Sequence, residues 1–187
     1  MTTQTPTKTI SLEKYLAREE QAIDRHEYIQ GEVRVVPSEC LCHSSICGNL
    51  MVALATGLKS KPYNIFHAAQ RLWIPSPQVF TYPDVMVTTK PLVFQEGRTD
   101  TVLNACLIAE VLSPSTTNYD RSEKFQYYRS IPEFQEYLLI EQDRIYVEHF
   151  YRLDAKKWSL TEYTEIEDVI SLGSVGCEIS LADIYED

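Results

Sequence analysis

The chain has 187 residues, 44% of them hydrophobic and 24% charged, proportions that suit one soluble globular domain. Its 17 Lys and Arg stand against 27 Asp and Glu, for a formal charge of −10. The molecule as a whole therefore repels nucleic acid, and any role on phosphates must rest on a local basic patch or on bound metal ions. The five cysteines are odd in number and form no CxxC pair, which fits a reducing cytoplasm.

Met1 to Lys8 is polar and threonine-rich without an apolar signal core, and residues 1–10 read as a short flexible tail ahead of one domain spanning 11–187. No apolar stretch approaches the roughly 20 residues that span a membrane. Ser11 to Glu20 reads as a short helix with Leu12, Tyr15 and Leu16 on one face. Glu27 to Val36 reads as two short strands around a turn at Gln30-Gly31, ended by Pro37. Ile46, Leu50, Ala53, Leu54 and Leu58 recur at helical spacing and predict the main N-terminal helix over His43 to Lys59.

Ile65 to Ile74 reads as one strand, with a loop at Pro75-Ser76-Pro77. Asp84 to Thr88 is a strand opened by Pro83, and Pro91 to Thr101 is a polar loop. Cys106 to Leu112 is almost continuously apolar, as expected of a central strand covered on both faces. A turn-rich segment, Ser113 to Asn118, leads into a helix over about Tyr119 to Ser130, with Thr117 as its cap. Strands follow at Glu136 to Glu141, Ile145 to Arg152 and Trp158 to Tyr163, with a hairpin turn near Gln142-Asp143-Arg144. Ile179 to Ile184 forms a last short element. The order predicts an α/β fold, a mixed sheet flanked by helices.

Glu110 is the most informative residue. A carboxylate inside Cys-Leu-Ile-Ala-Glu-Val-Leu is costly to bury unless it is paired, hydrogen-bonded or bound to metal. Its ordinary structural reading is a satisfied ion pair. Asp84, at the entry of another apolar strand, reads alone as a turn aspartate. Together the two would make a hard-oxygen site suited to Mg²⁺ or Mn²⁺, which can lower the pKa of a bound water. Lys124 lies on the helix that follows the Glu110 strand and could reach back to orient that water or neutralise developing charge. Asp120, four residues before it, reads first as a cap or a solvated helix partner. Cys40, Cys42, His43 and Cys47 invite a zinc reading, but all four fall within eight residues, whereas structural zinc pairs separated knuckles.

These residues form a recognisable pattern. Pro83-Asp84, then Glu110-Val111-Leu112, then Asp120 and Lys124, resembles the PD-(D/E)XK nuclease superfamily. The closer resemblance is to its cyanobacteria-rich branch of putative restriction endonucleases, and it covers most of the chain. It is carried by Glu27-Tyr28-Ile29-Gln30-Gly31-Glu32-Val33, by His43 opening a helix, by Pro83-Asp84-Val85-Met86-Val87, and by Glu110 to Thr116. Asp120-Arg121-Ser122-Glu123-Lys124 with Tyr128, then Ile131-Pro132-Glu133-Phe134, complete it. Pro-Asp alone is a weak signal; the Glu-Val-Leu-Ser-Pro-Ser-Thr run followed by Asp and Lys is specific.

The resemblance implies a restriction endonuclease-like mixed sheet and Mg²⁺- or Mn²⁺-dependent hydrolysis of DNA phosphodiesters. It implies that Asp84, Glu110 and the backbone carbonyl of Val111 hold the metal. One departure matters: the third position of (D/E)XK is Leu112, which shares a strand face with Glu110, and the resemblance implies that Lys124 takes over from the missing lysine. Glu32, His43 and Asp120 are accessory candidates. A homodimer is expected, since cutting two strands calls for two sites. The alternatives are a nuclease-fold binding or regulatory module that does not cut and, more remotely, a carboxylate-pair hydrolase such as a glycosidase, in which Lys124 has no role. Arg71, Lys90, Arg98, Arg121, Lys124 and Arg129 are the expected basic rim of a phosphate-binding site.

Overall fold

A computed structural model describes residues 9–186. The tail expected over residues 1–10 lies mostly outside them; its last residue, Ile10, donates its N–H to the Gly31 carbonyl at 2.9 Å. The fold is α/β, as expected, with thirteen strands and four helices among the described residues. Helix α1 (Leu12–Glu19) starts at Ser11, whose side chain accepts from the Lys14 N–H. Strands β1 (His26–Ile29) and β2 (Glu32–Val35) join through a two-residue turn. Gln30 and Gly31 have φ of 51° and 100°, the left-handed pair that matches the twist of a tight hairpin.

Helix α2 (Leu41–Gly57) is capped by Cys40, two residues earlier than the apolar spacing alone would start it. The single strand expected over Ile65 to Ile74 is instead two: β3 (Tyr63–His67) and β4 (Arg71–Ile74), in different sheets. Strands β5 (Val79–Thr81), β6 (Val85–Thr89), β7 (Thr101–Val102) and β8 (Ala105–Leu112) follow. The next helix, α3, runs over residues 117–128, and its middle turn, Asp120–Lys124, is π-helical. Thr117 does not cap it. Its hydroxyl donates to the Ser113 carbonyl at 2.6 Å, and Thr116 holds the cap position without a side-chain bond to the helix N–H groups. Strands β9 (Glu136–Glu141), β10 (Val147–Arg152), β11 (Trp158–Tyr163), β12 (Val169–Leu172) and β13 (Cys177–Ser180) lead to α4 (Ala182–Tyr185).

A six-stranded mixed sheet, β11-β10-β9-β8-β6-β3, forms the centre, with β8 and β9 parallel and the other neighbours antiparallel. A five-stranded sheet, β2-β1-β5-β4-β7, and the β12-β13 hairpin complete the molecule. Period-two alternation along β8 divides the interior. Leu107, Ala109 and Val111 pack with Ile46, Leu50 and Leu54 of α2, while Ile108 and Leu112 pack with Tyr128 of α3 and with Leu72 and Ile74 of the second sheet. Leu112 is thus core, and Glu110, between Ile108 and Leu112, faces α3 from the middle of a strand buried at every residue. No helix among the described residues is long and apolar enough to cross a membrane.

Candidate active site

Antiparallel pairing of β6 with β8 sets Val85 against Ala109, which brings Asp84, the residue before β6, beside Glu110. The two are linked through the backbone. The Asp84 N–H donates to Glu110 Oε2 at 3.2 Å, and the Val111 N–H donates to Asp84 Oδ2 at 2.8 Å. The resemblance gave Val111 a metal-binding carbonyl; here its N–H fixes the Asp84 carboxylate.

Lys124 reaches the site from α3. Its Nζ lies 2.9 Å from Glu110 Oε1, 3.2 Å from Asp120 Oδ1 and 3.9 Å from Glu27 Oε1. Glu110 is 1% exposed and Lys124 7%. The Tyr128 hydroxyl, one turn on, donates to Glu110 Oε1 at 2.6 Å. Asp120 is not a solvated helix residue: it is 2% exposed, and its Oδ1 has no hydrogen-bond partner among the described residues. Glu27, on β1, accepts from the Tyr119 hydroxyl at 2.9 Å and from the Thr81 hydroxyl. Two sheets, one strand entry and one helix thus bring four carboxylates around one ammonium.

The electrostatics follow from burial. Desolvation pushes the Glu110 carboxyl well above the usual range; Lys124 opposes this, and Asp84 and Asp120 add to it. Burial works against the Lys124 ammonium, but Asp120, Glu110, Tyr128 and Glu27 outweigh it and hold its pKa well above the ordinary lysine value. Burial would also raise Asp84, but the His43 hydrogen bond, the Lys124 charge and the Val111 N–H leave it lowered.

His43 does belong to this site. Its Nε2 lies 3.1 Å from Asp84 Oδ2 and 3.7 Å from Glu39. Desolvation would lower its pKa, but Asp84, Glu39 and Cys40 raise it. Its Nδ1 is 3.6 Å from Cys47 Sγ. Among the described residues, ligand atoms of His43, Cys47 and Asp84 lie within 4.8 Å of one another. The imidazole sits between the other two, however, with one nitrogen toward each, so it bridges them and does not converge with them on a single ion. Cys40 and Cys42 are exposed, and all five thiols are free. The four-residue zinc cluster is not assembled.

Glu32 is not brought in. It lies on β2, 3.4 Å from Arg34, and does not line the cleft. Half of the expected basic rim is also spent elsewhere. Arg71 and Arg98 pair with Asp100, and Arg121 pairs with Glu141 and Glu148. The cleft, about 320 Å³, is lined by Glu27, Glu39, Asp84, Glu110 and Asp120, against the cations Arg34 and Lys124. Sequence reasoning missed Glu27, Glu39 and Tyr119. Glu27 carried a legible signal, since alternation puts it on the same strand face as the buried Ile29.

The donor set fits a hard divalent cation. Asp84 and Glu110 offer carboxylate oxygens at the cleft wall, and Asp120, ion-paired with Lys124, adds a third carboxylate beside them.

Comparison with known proteins gives the family and the fold of the chain. Two uncharacterised proteins of Synechocystis sp. (strain PCC 6803) are similar along their length. One, sll1609, is 40% identical over 156 residues, covering 83% of this chain and 88% of that protein. The other, slr1290, is 31% identical over 180 residues, covering 96% and 93%. The fold matches the crystal structure of a putative nuclease belonging to DUF820 from Anabaena variabilis, with a TM-score of 0.74 at 17% identity, covering 94% of this chain and 97% of that one. The model of the Uma2 family, described as putative restriction endonuclease, matches residues 12–182. With that match across nearly the whole domain, the chain belongs to the Uma2 family, within the restriction endonuclease-like superfamily.

Proposed function

We propose that the protein is a Mg²⁺- or Mn²⁺-dependent endonuclease that hydrolyses DNA phosphodiesters in the cleft around Asp84 and Glu110. The observation that carries this reading is the Lys124 ammonium, 2.9 Å from Glu110 and supplied by a helix in place of a strand lysine at Leu112. Asp84 and Glu110 would hold the metal, which when bound supplies an activated water and charge neutralisation at the phosphate. His43 and the Val111 N–H both engage Asp84 Oδ2 and so orient the carboxylate. Tyr128 fixes Glu110. Lys124 keeps its proton and acts on the nucleophile or on transition-state charge. Glu27 and Asp120 hold the ammonium in place from the far side. Cutting both strands of a duplex calls for two such sites, hence a homodimer.

A second reading, a nuclease-fold binding module that does not cut, is favoured by the excess of carboxylates in the cleft, which repels phosphate in the absence of metal. Mn²⁺ titration beside a plasmid-cleavage assay separates the two. The nuclease binds Mn²⁺ and cuts, and Asp84→Ala and Glu110→Ala each lose both properties. Absence of both in the wild-type protein would leave the binding module.

A further inference from the structure

The edge of the five-stranded sheet carries an inference that does not depend on the chemistry of the cleft. Among the described residues, strand β2 is outermost and pairs only with β1. The two-residue turn makes Ile29 and Glu32 a hydrogen-bonded pair, so Glu32 and Arg34 direct their backbone groups toward β1. The bond from the Val36 N–H to the Arg25 carbonyl, 2.8 Å, keeps the same phase. Val33 and Val35 therefore turn their N–H and C=O groups outward. Their side chains are 39% and 63% exposed. Neither lysine nor proline interrupts the strand.

We infer that this edge pairs with β2 of a second copy, antiparallel and centred on Val33. The sequence of the strand, Glu32-Val33-Arg34-Val35, selects that register. Centring on Val33 sets Glu32 against the partner's Arg34 and Arg34 against the partner's Glu32, two complementary cross-strand pairs on one face. It also sets Val33 against the partner's Val33 with their outward backbone groups facing, the phase that closes hydrogen bonds. A shift of one whole step, centring on Arg34, keeps the hydrogen-bond phase but opposes two guanidinium groups. Strand β11, an edge of the central sheet, reads Trp-Ser-Leu-Thr-Glu-Tyr; with a single charge it can form no such complementary pairs with itself.

The pairing bears on the site. Arg34 lines the cleft and stacks over the Tyr119 ring, with 5.4 Å from guanidinium to ring centroid. Glu27 lies opposite it on β1. The two-fold axis of such a pair is perpendicular to the sheet, so both copies present their Glu27 and Arg34 faces on the same side. The partner's Glu32 then sits at the mouth of the cleft, and two clefts open side by side.

Analytical ultracentrifugation of the full chain tests this without reference to cleavage. Wild type should show a reversible monomer–dimer equilibrium. Glu32→Arg places two arginines on each strand and Arg34→Glu two glutamates; each alone should weaken association by about tenfold or more, since two favourable pairs become repulsive. Mixing the two variants makes every cross-strand pair complementary again and should restore a mixed dimer. Val33→Pro, which removes an outward N–H and leaves the β1–β2 bonds in place, should also dissociate the pair, with circular dichroism reporting the fold. A wild type that is monomeric up to roughly 100 μM, a dimer untouched by all three changes, or failure of the mixture to associate would each overturn the proposal. Loss of cleavage in a protein that still dimerises would count against the nuclease reading alone.

Discussion

Two buried glutamates on adjacent parallel strands face opposite fates. Glu136 opens β9, in register with Leu107 of β8, and is fully buried. Its carboxylate accepts from the Gly173 N–H at 2.9 Å, the Ser174 N–H at 3.2 Å, His149 Nε2 at 3.1 Å and the Ser174 hydroxyl. Every partner is structural; together they clamp the turn between β12 and β13 onto the central sheet. Glu110, three residues further along β8 than Leu107, has an ammonium, a phenol and one N–H as partners, two more carboxylates nearby, and a cleft at its side. A buried carboxylate by itself therefore says little. What separates the two is whether the partners close the site or leave it strained and open.

Removing each partner in turn sharpens the contrast. The largest expected effect is on Glu136→Ala, which strands two N–H groups and an imidazole and should cost about 3–5 kcal/mol of stability; chemical denaturation reads it, and a loss under about 1 kcal/mol would erase the distinction drawn here. Lys124→Ala should lower cleavage by about 10²–10³-fold while Mn²⁺ binding is kept, because an ammonium is not a metal ligand. If cleavage persists at the wild-type rate, the lysine leaves the mechanism.

Glu110→Gln should respond to pH in a way that a satisfied carboxylate does not. The folded pKa of Glu110 is raised, so the charged form costs stability as pH climbs above the unfolded value of about 4.3. The variant should be more stable than wild type at neutral pH, and the advantage should vanish below about pH 4. A variant less stable at pH 7 would show the charge to be net favourable. The smallest effect concerns the largely buried His43–Asp84 pair. A raised His43 contributes stability that is complete below its unfolded value of about 6.5 and is lost as pH rises through its folded value. A lowered Asp84 contributes stability that is present above about 3.9 and is lost on further acidification. His43→Gln should cost about 1 kcal/mol in the window between those values and less on either side, measured by thermal melts across pH.

Much of this was legible in the chain. The α1 and α2 helices, the Gln30-Gly31 turn, the buried β8 strand and the Asp84, Glu110 and Lys124 triplet follow from apolar spacing, turn chemistry and resemblance. The break between β3 and β4 was not, because Ala68-Ala69-Gln70 carries no glycine or proline and an apolar pattern does not say which sheet a strand joins. The contrast between Glu27 and Glu32 has a similar cause. The two lie on one face of the same hairpin, but β1 is an inner strand and β2 an edge. Strand order decides which carboxylate is buried beside Lys124 and which meets solvent, and strand order is set by partners far away in sequence. The basic rim failed for a related reason: a list of arginines does not reveal that Asp100, Glu141 and Glu148 already neutralise them.

The π-helical turn of α3 accounts for how one helix can gather three polar side chains into one buried cluster. Side chains four apart on an α-helix drift by about 40° around the axis, so Asp120, Lys124 and Tyr128 would fan out over about 80° and only one could point squarely at Glu110. The wider π turn between Asp120 and Lys124 winds back over the same four residues and cancels most of that drift. The three side chains return toward one face of the helix, where Lys124 and Tyr128 meet Glu110 and Asp120 meets Lys124.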